Sequence, residues 1–353
     1  MVGEDGTKAD FRAWLGLGEG AEGARRYGVV LDIAGLALDA DDRRRLAHPL
    51  TGGLILFARN WQDRRQLTEL TAEIKAIRSD LLICVDHEGG RVQRFRDGFT
   101  AIPAMSKIGH AAENDFSEGL RLAREAGFVL AAELRACGID MSFTPVLDLA
   151  WGNSEIIGNR AFSGDSEKVA QLAGALMHGL TLAGSQACGK HFPGHGWVKA
   201  DSHLALPVDT RPLSEIRQFD LAPYRTNSSL SMASIMPAHV VYEGIDPNPA
   251  CFSKFWLQNV LRGELAYDGC IISDDLDMVG AHCVGDIRAR ASAALSAGCD
   301  AVLACNNFED IDCLIEQPVP EVELFQAERT RRLGRLLGSG PDLTWDGLLS
   351  NAD

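Results

Sequence analysis

The chain concentrates reactive side chains in one short stretch. Lys190-His191-Phe192-Pro193-Gly194-His195-Gly196 is followed by Asp201-Ser202-His203, which sets a lysine, three histidines and an aspartate among turn-forming residues. Imidazole titrates near neutral pH, so a histidine can give up a proton in one step and recover one in the next. In an extended or turn segment the Asp201-x-His203 spacing lets the carboxylate orient the ring and raise its proton affinity. An isolated D-x-H is usually a surface histidine with an incidental neighbour; the cluster upstream favours function here.

A second group is Ser273-Asp274-Asp275-Leu276, directly after the apolar pair Ile271-Ile272. A carboxylate emerging from a strand can attack a carbon or stabilise a cation, and Asp274 is expected to do so. Asp275 is open between such a role and capping the next helix through its exposed amides.

The third group is Asp86-His87-Glu88-Gly89-Gly90-Arg91-Val92-Gln93-Arg94. Asp86 can accept hydrogen bonds from sugar hydroxyls, and an arginine can hold a carboxylate or acyl group in a bidentate fork. A salt-bridge network bracing the loop is the competing account for some of these residues. Gly89-Gly90 lacks the spacing of a dinucleotide fingerprint. Arg160 reads as a substrate clamp or a loop–loop tie, and Lys190 as a donor to hydroxyls or an anion, or as an ordinary snorkelling lysine. His191 and His195 have the i, i+4 spacing of a metal pair, but Pro193 and Gly194 oppose the helix that would align them. No H-E-x-x-H or C-x-x-C pattern accompanies them. No metal and no cofactor is expected.

Positioning these groups requires a frame. Eight short apolar runs recur, at residues 28–33, 53–57, 81–85, 140–143, 186–189, 234–236, 269–272 and 300–304. Their continuous apolar character suits parallel strands buried on both faces. Helical patterns fall between most of them, at 63–78, 116–137, 166–183, 213–224, 253–265 and 287–297. Alternation of this kind implies the α/β class. An open doubly wound sheet and a closed barrel both fit the alternation. The polar residues follow the third, fifth, sixth (His239), seventh and eighth (Asn306-Asn307) runs, and a barrel gathers all such ends on one face. The expected fold is therefore a single-domain (β/α)8 TIM-type barrel with room for irregular strands. Its expected span is 27–338, after an N-terminal extension at 1–26 with a short helix near 11–17, and before a C-terminal tail at 339–353.

Composition limits the remaining choices. The 353 residues carry 34 Lys+Arg against 49 Asp+Glu, a net charge of −15. An acidic surface argues against nucleic acid as a partner, yet leaves room for an anionic small molecule at a local basic cluster. Nine cysteines without a C-x-x-C pair, several inside apolar runs, fit reduced thiols in a cytoplasm. The first residues lack the basic and apolar regions of a secretory signal, and no run reaches transmembrane length. Neither a membrane nor a nucleic acid is expected as a partner, and the chain is expected to be a monomer or weak homo-oligomer.

Taken in order, Gly52-Gly53-Leu54-Ile55-Leu56-Phe57, the Asp86–Arg94 segment, the Lys190–Gly196 segment, Asp201-Ser202-His203, Met236-Pro237-Ala238-His239 and Ser273-Asp274-Asp275-Leu276 resemble the bacterial β-N-acetylglucosaminidases of glycoside hydrolase family three, the NagZ type. The resemblance covers roughly residues 27 to 308. It departs from the family pattern in a longer N-terminal stretch and in His87, where glutamine is common. It implies a cytoplasmic barrel that removes N-acetylglucosamine from 1,6-anhydro-N-acetylmuramoyl sugars and muropeptides in peptidoglycan recycling. It implies Asp274 as nucleophile, His203 as acid/base assisted by Asp201, and sugar binding by Asp86, Arg94, Arg160, Lys190 and His191. Two neighbouring readings are a β-N-acetylglucosaminide phosphorylase, since a histidine acid/base does not repel phosphate, and a non-catalytic sugar-binding barrel. A broader β-glucosidase fits less well, because such relatives often carry extra domains and lack the Asp-x-His loop.

Overall fold

The structure, a computed structural model, describes residues 28–199, 206–227, 232–323, 326–339 and 343–350. The helix expected near 11–17 and the pair Asp201 and His203 lie outside the described residues. Eight parallel strands form the frame: β1 (Val29–Leu31), β2 (Thr51–Leu56), β3 (Leu82–Val85), β4 (Met141–Ser142), β5 (Cys188–Phe192), β6 (Ser234–Pro237), β7 (Cys270–Asp275) and β8 (Ala301–Leu303). Each of the eight apolar runs supplies one. Their order is β4-β3-β2-β1-β8-β7-β6-β5. Parallel bridges at Met141–Gln186 and Val146–Lys190 join the two ends and close the barrel. The seam is held by Cys188 N–H to Thr144 O at 2.8 Å and Leu147 N–H to Lys190 O at 2.7 Å. Pro145 in that seam has no N–H to donate, which accounts for the short ladder at β4.

The apolar runs are continuous because both faces are covered. Val30, Ile55, Cys84, Met141, Cys188, Ile272 and Leu303 fill the barrel interior. Their neighbours Val29, Leu31, Leu54, Leu56, Val85 and Ile271 pack outward under the helices. Leu333 and Leu336 join the interior cluster from beyond β8. Arg332 bonds Asp300 at 3.0 Å and Gly338 N–H bonds Asp140 at 3.2 Å, just before β8 and β4. The segment around Leu333–Gly338 thus plugs the end where strands begin, and the polar strand ends open at the opposite mouth.

The outer helices are α1 (Ala40–Ala47), α2 (Arg64–Ile77), α3 (Met105–Asn114), α4 (Phe116–Ala136), α5 (Ser166–Leu182), α6 (Leu213–Gln218), α7 (Ala222–Asn227), α8 (Ile287–Ala297) and α9 (Phe308–Glu316). Asp39, Asp63, Asp115, Asp165, Asp286 and Asn307 cap α1, α2, α4, α5, α8 and α9 by accepting from first-turn amides. The single helix expected over 213–224 is divided into α6 and α7. Asp220 at the break is claimed by Arg211 and Trp151, and Pro223 cannot donate to a continuous helix. The stretch expected at 253–265 winds as a π-helix over Phe255–Glu264. Helix α1 escaped sequence reading because it buries little apolar surface, chiefly Leu46, and α3 because Ala104 offers no capping side chain. Among the described residues no helix is long and apolar enough to cross a membrane.

Candidate active site

The strand ends converge on a cavity of about 340 Å³. Asp86, Arg94, Arg160, Lys190, His191 and Asp274 all line it, together with Glu88, His195, Asp275 and Asn306. Five barrel strands or the loops just beyond them supply these residues, and closure alone brings them together.

Beyond β3 the chain forms an antiparallel hairpin, His87–Gly89 with Val92–Gln93. Its turn needs glycine twice. Gly89 and Gly90 have φ of 100° and 57°, and a Cβ would lie 2.7 Å from Ile102 and Pro103 or 2.8 Å from Ala104. The hairpin aims Asp86 and Glu88 at the floor of the cavity. Lys190 Nζ lies 2.7 Å from an oxygen of each carboxylate. Arg160 forks onto Glu88 with two bonds of 2.8 Å, and Arg94 reaches Asp86 at 3.4 Å. Burial alone would push both carboxyls up. For Glu88 the cations Arg160 and Lys190 outweigh burial, and for Asp86 Lys190 and Arg94 do, so both sit below the usual carboxylate range. Lys190 is likewise held above its ordinary value: Asp86 and Glu88 overcome the burial that opposes its charge. The salt-bridge account of this loop therefore holds, and the same residues line the cavity. Glu88 is a buried brace, while Asp86 keeps a face toward the cavity.

His191, at the end of β5, is fixed by a residue that sequence reading passed over. Asp148, fully buried, accepts the His191 ring Nδ1–H at 2.7 Å and the His195 backbone N–H at 2.7 Å, with the His191 N–H at 3.3 Å. A carboxylate only accepts, so Nδ1 carries a proton and donates it to Asp148. Burial raises Asp148, but the two histidines outweigh it and hold the carboxyl below its ordinary value. The His191 and His195 rings meet edge to face at 5.9 Å. His191 lies in a strand rather than a helix, so the i, i+4 metal geometry does not arise. Among the described residues no group of three or more His, Cys, Asp or Glu is arranged to hold a metal ion.

Asp274 and Asp275 end β7 and part company there. Asp274 accepts the Asp275 N–H at 2.9 Å and faces the cavity. The Asp275 carboxylate accepts Asp277 N–H at 3.1 Å and Cys305 N–H at 3.2 Å, tying β7 to the end of β8. Burial first, and the neighbouring Asp274 charge with it, push the Asp275 carboxyl up to about 8. Of the two roles left open for Asp275, its bonds are those of a turn brace. His239 follows β6 and sits behind this turn, fully buried, its Nε2 3.0 Å from Asp275 O and its ring stacked on Phe252. His87 also faces away from the cavity. It packs among Phe95 and Phe99, and burial, then Arg96 and Arg94, pull it down to about 3, so it is neutral.

The described residues on either side of 200–205 are firmly packed. Before it, Trp197 packs edge to face on Trp151 at 5.4 Å. After it, Arg211 is buried against Asp209 and Asp220, at 2.7 Å from each, and lies over the Trp151 and Trp197 rings.

Sequence reading missed Asp148 and left Glu88 and Asn306 out of the site. The available signal for Asp148 was a lone acid inside the apolar run Val146-Leu147-Asp148-Leu149, directly beyond a strand. For Glu88 it was the i, i+2 spacing from Asp86, which places both on one side of an extended chain.

Known proteins share this frame. Residues 27–337 match the glycosyl hydrolase family 3 N terminal domain. The β-hexosaminidase of Bordetella parapertussis is 55% identical over 326 residues, 92% of each chain. The crystal structure of native NagZ from Neisseria gonorrhoeae superposes with a TM-score of 0.88 at 47% identity, covering 93% of this chain and 94% of that one. The same enzyme in complex with N-trifluoroacetyl-D-glucosamine gives a TM-score of 0.88 at 46% identity, over 93% and 95%. Agreement in sequence and frame over this length means that the chain belongs to glycoside hydrolase family 3, among its NagZ-type β-hexosaminidases, and is a glycoside hydrolase.

Proposed function

We propose that this enzyme is a retaining exo-β-N-acetylglucosaminidase. It removes terminal N-acetylglucosamine from 1,6-anhydro-N-acetylmuramoyl fragments of peptidoglycan, in the cytoplasm, during cell-wall recycling. The observation that carries the reading is a carboxylate, Asp274, facing a cavity whose floor presents Asp86, Lys190 and His191. Such a floor offers acceptors and donors to sugar hydroxyls, and Arg94 and Arg160 stand beside it. The saccharide-analogue complex of the Neisseria relative supports a small saccharide as substrate.

In this mechanism the Asp274 carboxylate attacks the anomeric carbon as the glycosidic C–O bond breaks. Protonated His203 gives its proton to the departing oxygen, leaving a glycosyl–Asp274 ester and a neutral imidazole. Water then attacks the same carbon, His203 takes its proton, and Asp274 is released. Two inversions retain the β configuration. Asp201 orients His203. No cofactor takes part, and a monomer or weak homo-oligomer suffices because one chain supplies every named group.

The test is incubation with an aryl N-acetyl-β-glucosaminide, with and without phosphate, followed by proton NMR. Release of free β-N-acetylglucosamine before mutarotation is expected. Glycosyl phosphate as the main product would replace hydrolysis with phosphorolysis, α-product would remove the double displacement, and no turnover would leave a sugar-binding barrel.

A further inference from the structure

The cations of the cavity are not equivalent. Arg94, Arg160 and Lys190 are each matched to Asp86 or Glu88. Arg91 also lines the cavity, but no carboxylate among the described residues lies within ion-pair distance of it. Its guanidinium donates through Nη2 to the carbonyls of Glu155 and Ile156, leaving Nε and Nη1 without a protein acceptor among the described residues. It is not a loose surface arginine. The Gly89-Gly90 turn fixes its backbone, and Arg96 donates to the Gly90 and Arg91 carbonyls at 3.0 and 3.2 Å. Lys190 and His191 are buried at the floor, whereas Arg91 is exposed at the rim. In an exo-acting site the terminal sugar takes the floor and the leaving group lies toward the rim.

We infer that Arg91 forms a carboxylate-binding subsite for the leaving-group half of the substrate. The inference rests on the hydrolase reading above and adds a charge requirement to it. A protein of net charge −15 repels an anionic glycan at long range, so selectivity for one requires a fixed, uncompensated cation where the anion arrives. Arg91 is held by carbonyls rather than by a counter-ion among the described residues, so its charge is uncompensated there and two of its donor positions stay open to a ligand. A lactyl or peptide carboxylate next to the scissile bond has the chemistry to use them.

The test compares wild type with Arg91→Gln and Arg91→Lys on two substrates. One is the anhydro-muramoyl disaccharide with a free lactyl carboxylate, and the other is its methyl ester. The quantity read is the ratio of kcat/KM for acid over ester, which cancels any general loss from a disturbed loop. For Arg91→Gln the ratio is expected to fall about tenfold, chiefly through KM, and for Arg91→Lys by less. Added salt should lower the ratio in wild type, whereas in Arg91→Gln, where salt screens only the long-range repulsion, the ratio should not fall. An unchanged ratio in Arg91→Gln would overturn the subsite while leaving the hydrolase intact. Failure of wild type to cleave either compound would instead refute the reading on which it rests.

Discussion

Asp148 holds His191 by a buried 2.7 Å bond to ring Nδ1, and the same carboxylate accepts the backbone N–H groups of His191 and His195. One fully enclosed acid therefore sets the backbone of the loop after β5 and the orientation of a ring that lines the cavity. Replacing it by alanine leaves buried donors unanswered. Asp148→Ala is expected to lose about 3 kcal/mol of stability, read from urea midpoints. Asp148→Asn keeps the shape but loses a charge-assisted acceptor and should lower kcat/KM at least about tenfold, the worth of one bond of about 1.5 kcal/mol.

Glu88 is clasped by Arg160 and Lys190, and removing it leaves two buried cations without their partner. Glu88→Gln should destabilise the fold by about 3 kcal/mol. Because its carboxyl lies below the ordinary range, its contribution is present above the unfolded value of about 4.3 and disappears as pH falls through the folded value. Thermal scans from pH 7 down to pH 3 should show the wild-type advantage over Glu88→Gln shrinking toward the acid end. An advantage that stays constant would mean that the pair is not ionised as described.

Asp275 has the opposite sign. Its folded pKa is raised to about 8 against about 3.9 unfolded, so ionisation opposes folding increasingly across that interval. Asp275→Asn retains an acceptor for Asp277 and Cys305 and has no charge to bury. Its melting temperature relative to wild type should rise as pH goes from about 4 to about 8 and then level off. A difference independent of pH would show that burial does not hold the carboxyl neutral.

Asp274 and His203 are separable by the leaving group. Asp274→Ala is expected to lose turnover on every β-N-acetylglucosaminide, by about 10³-fold or more. His203→Ala should fail on a sugar leaving group yet retain much more activity on an activated aryl glycoside, whose departing oxygen needs little protonation. Equal losses on both substrates would contradict the acid role.

The eight strands were legible because a barrel strand buried on both faces must be apolar throughout, and such runs need no knowledge of their partners. The polar cavity lining was legible for a related reason: Asp86, Lys190 and Asp274 each stand where an apolar run turns polar. The break between α6 and α7 was not legible, because the Asp220 contacts that accompany it come from Arg211 and Trp151 rather than from the local pattern. The buried roles of Asp148 and Glu88 were equally hidden. Their partners lie 43 and 72 residues away in the chain, and a lone acid in sequence does not reveal whether a cation will meet it.

The sequence by itself determined the class of the fold, the face on which the polar strand ends gather and most of the polar residues that line the cavity there, because each depends on local polarity and period. Only the tertiary structure decided which carboxylates are braces and which face the cavity. That division depends on how barrel closure pairs charges far apart in the chain, and it leaves Arg91 at the rim without a carboxylate partner among the described residues.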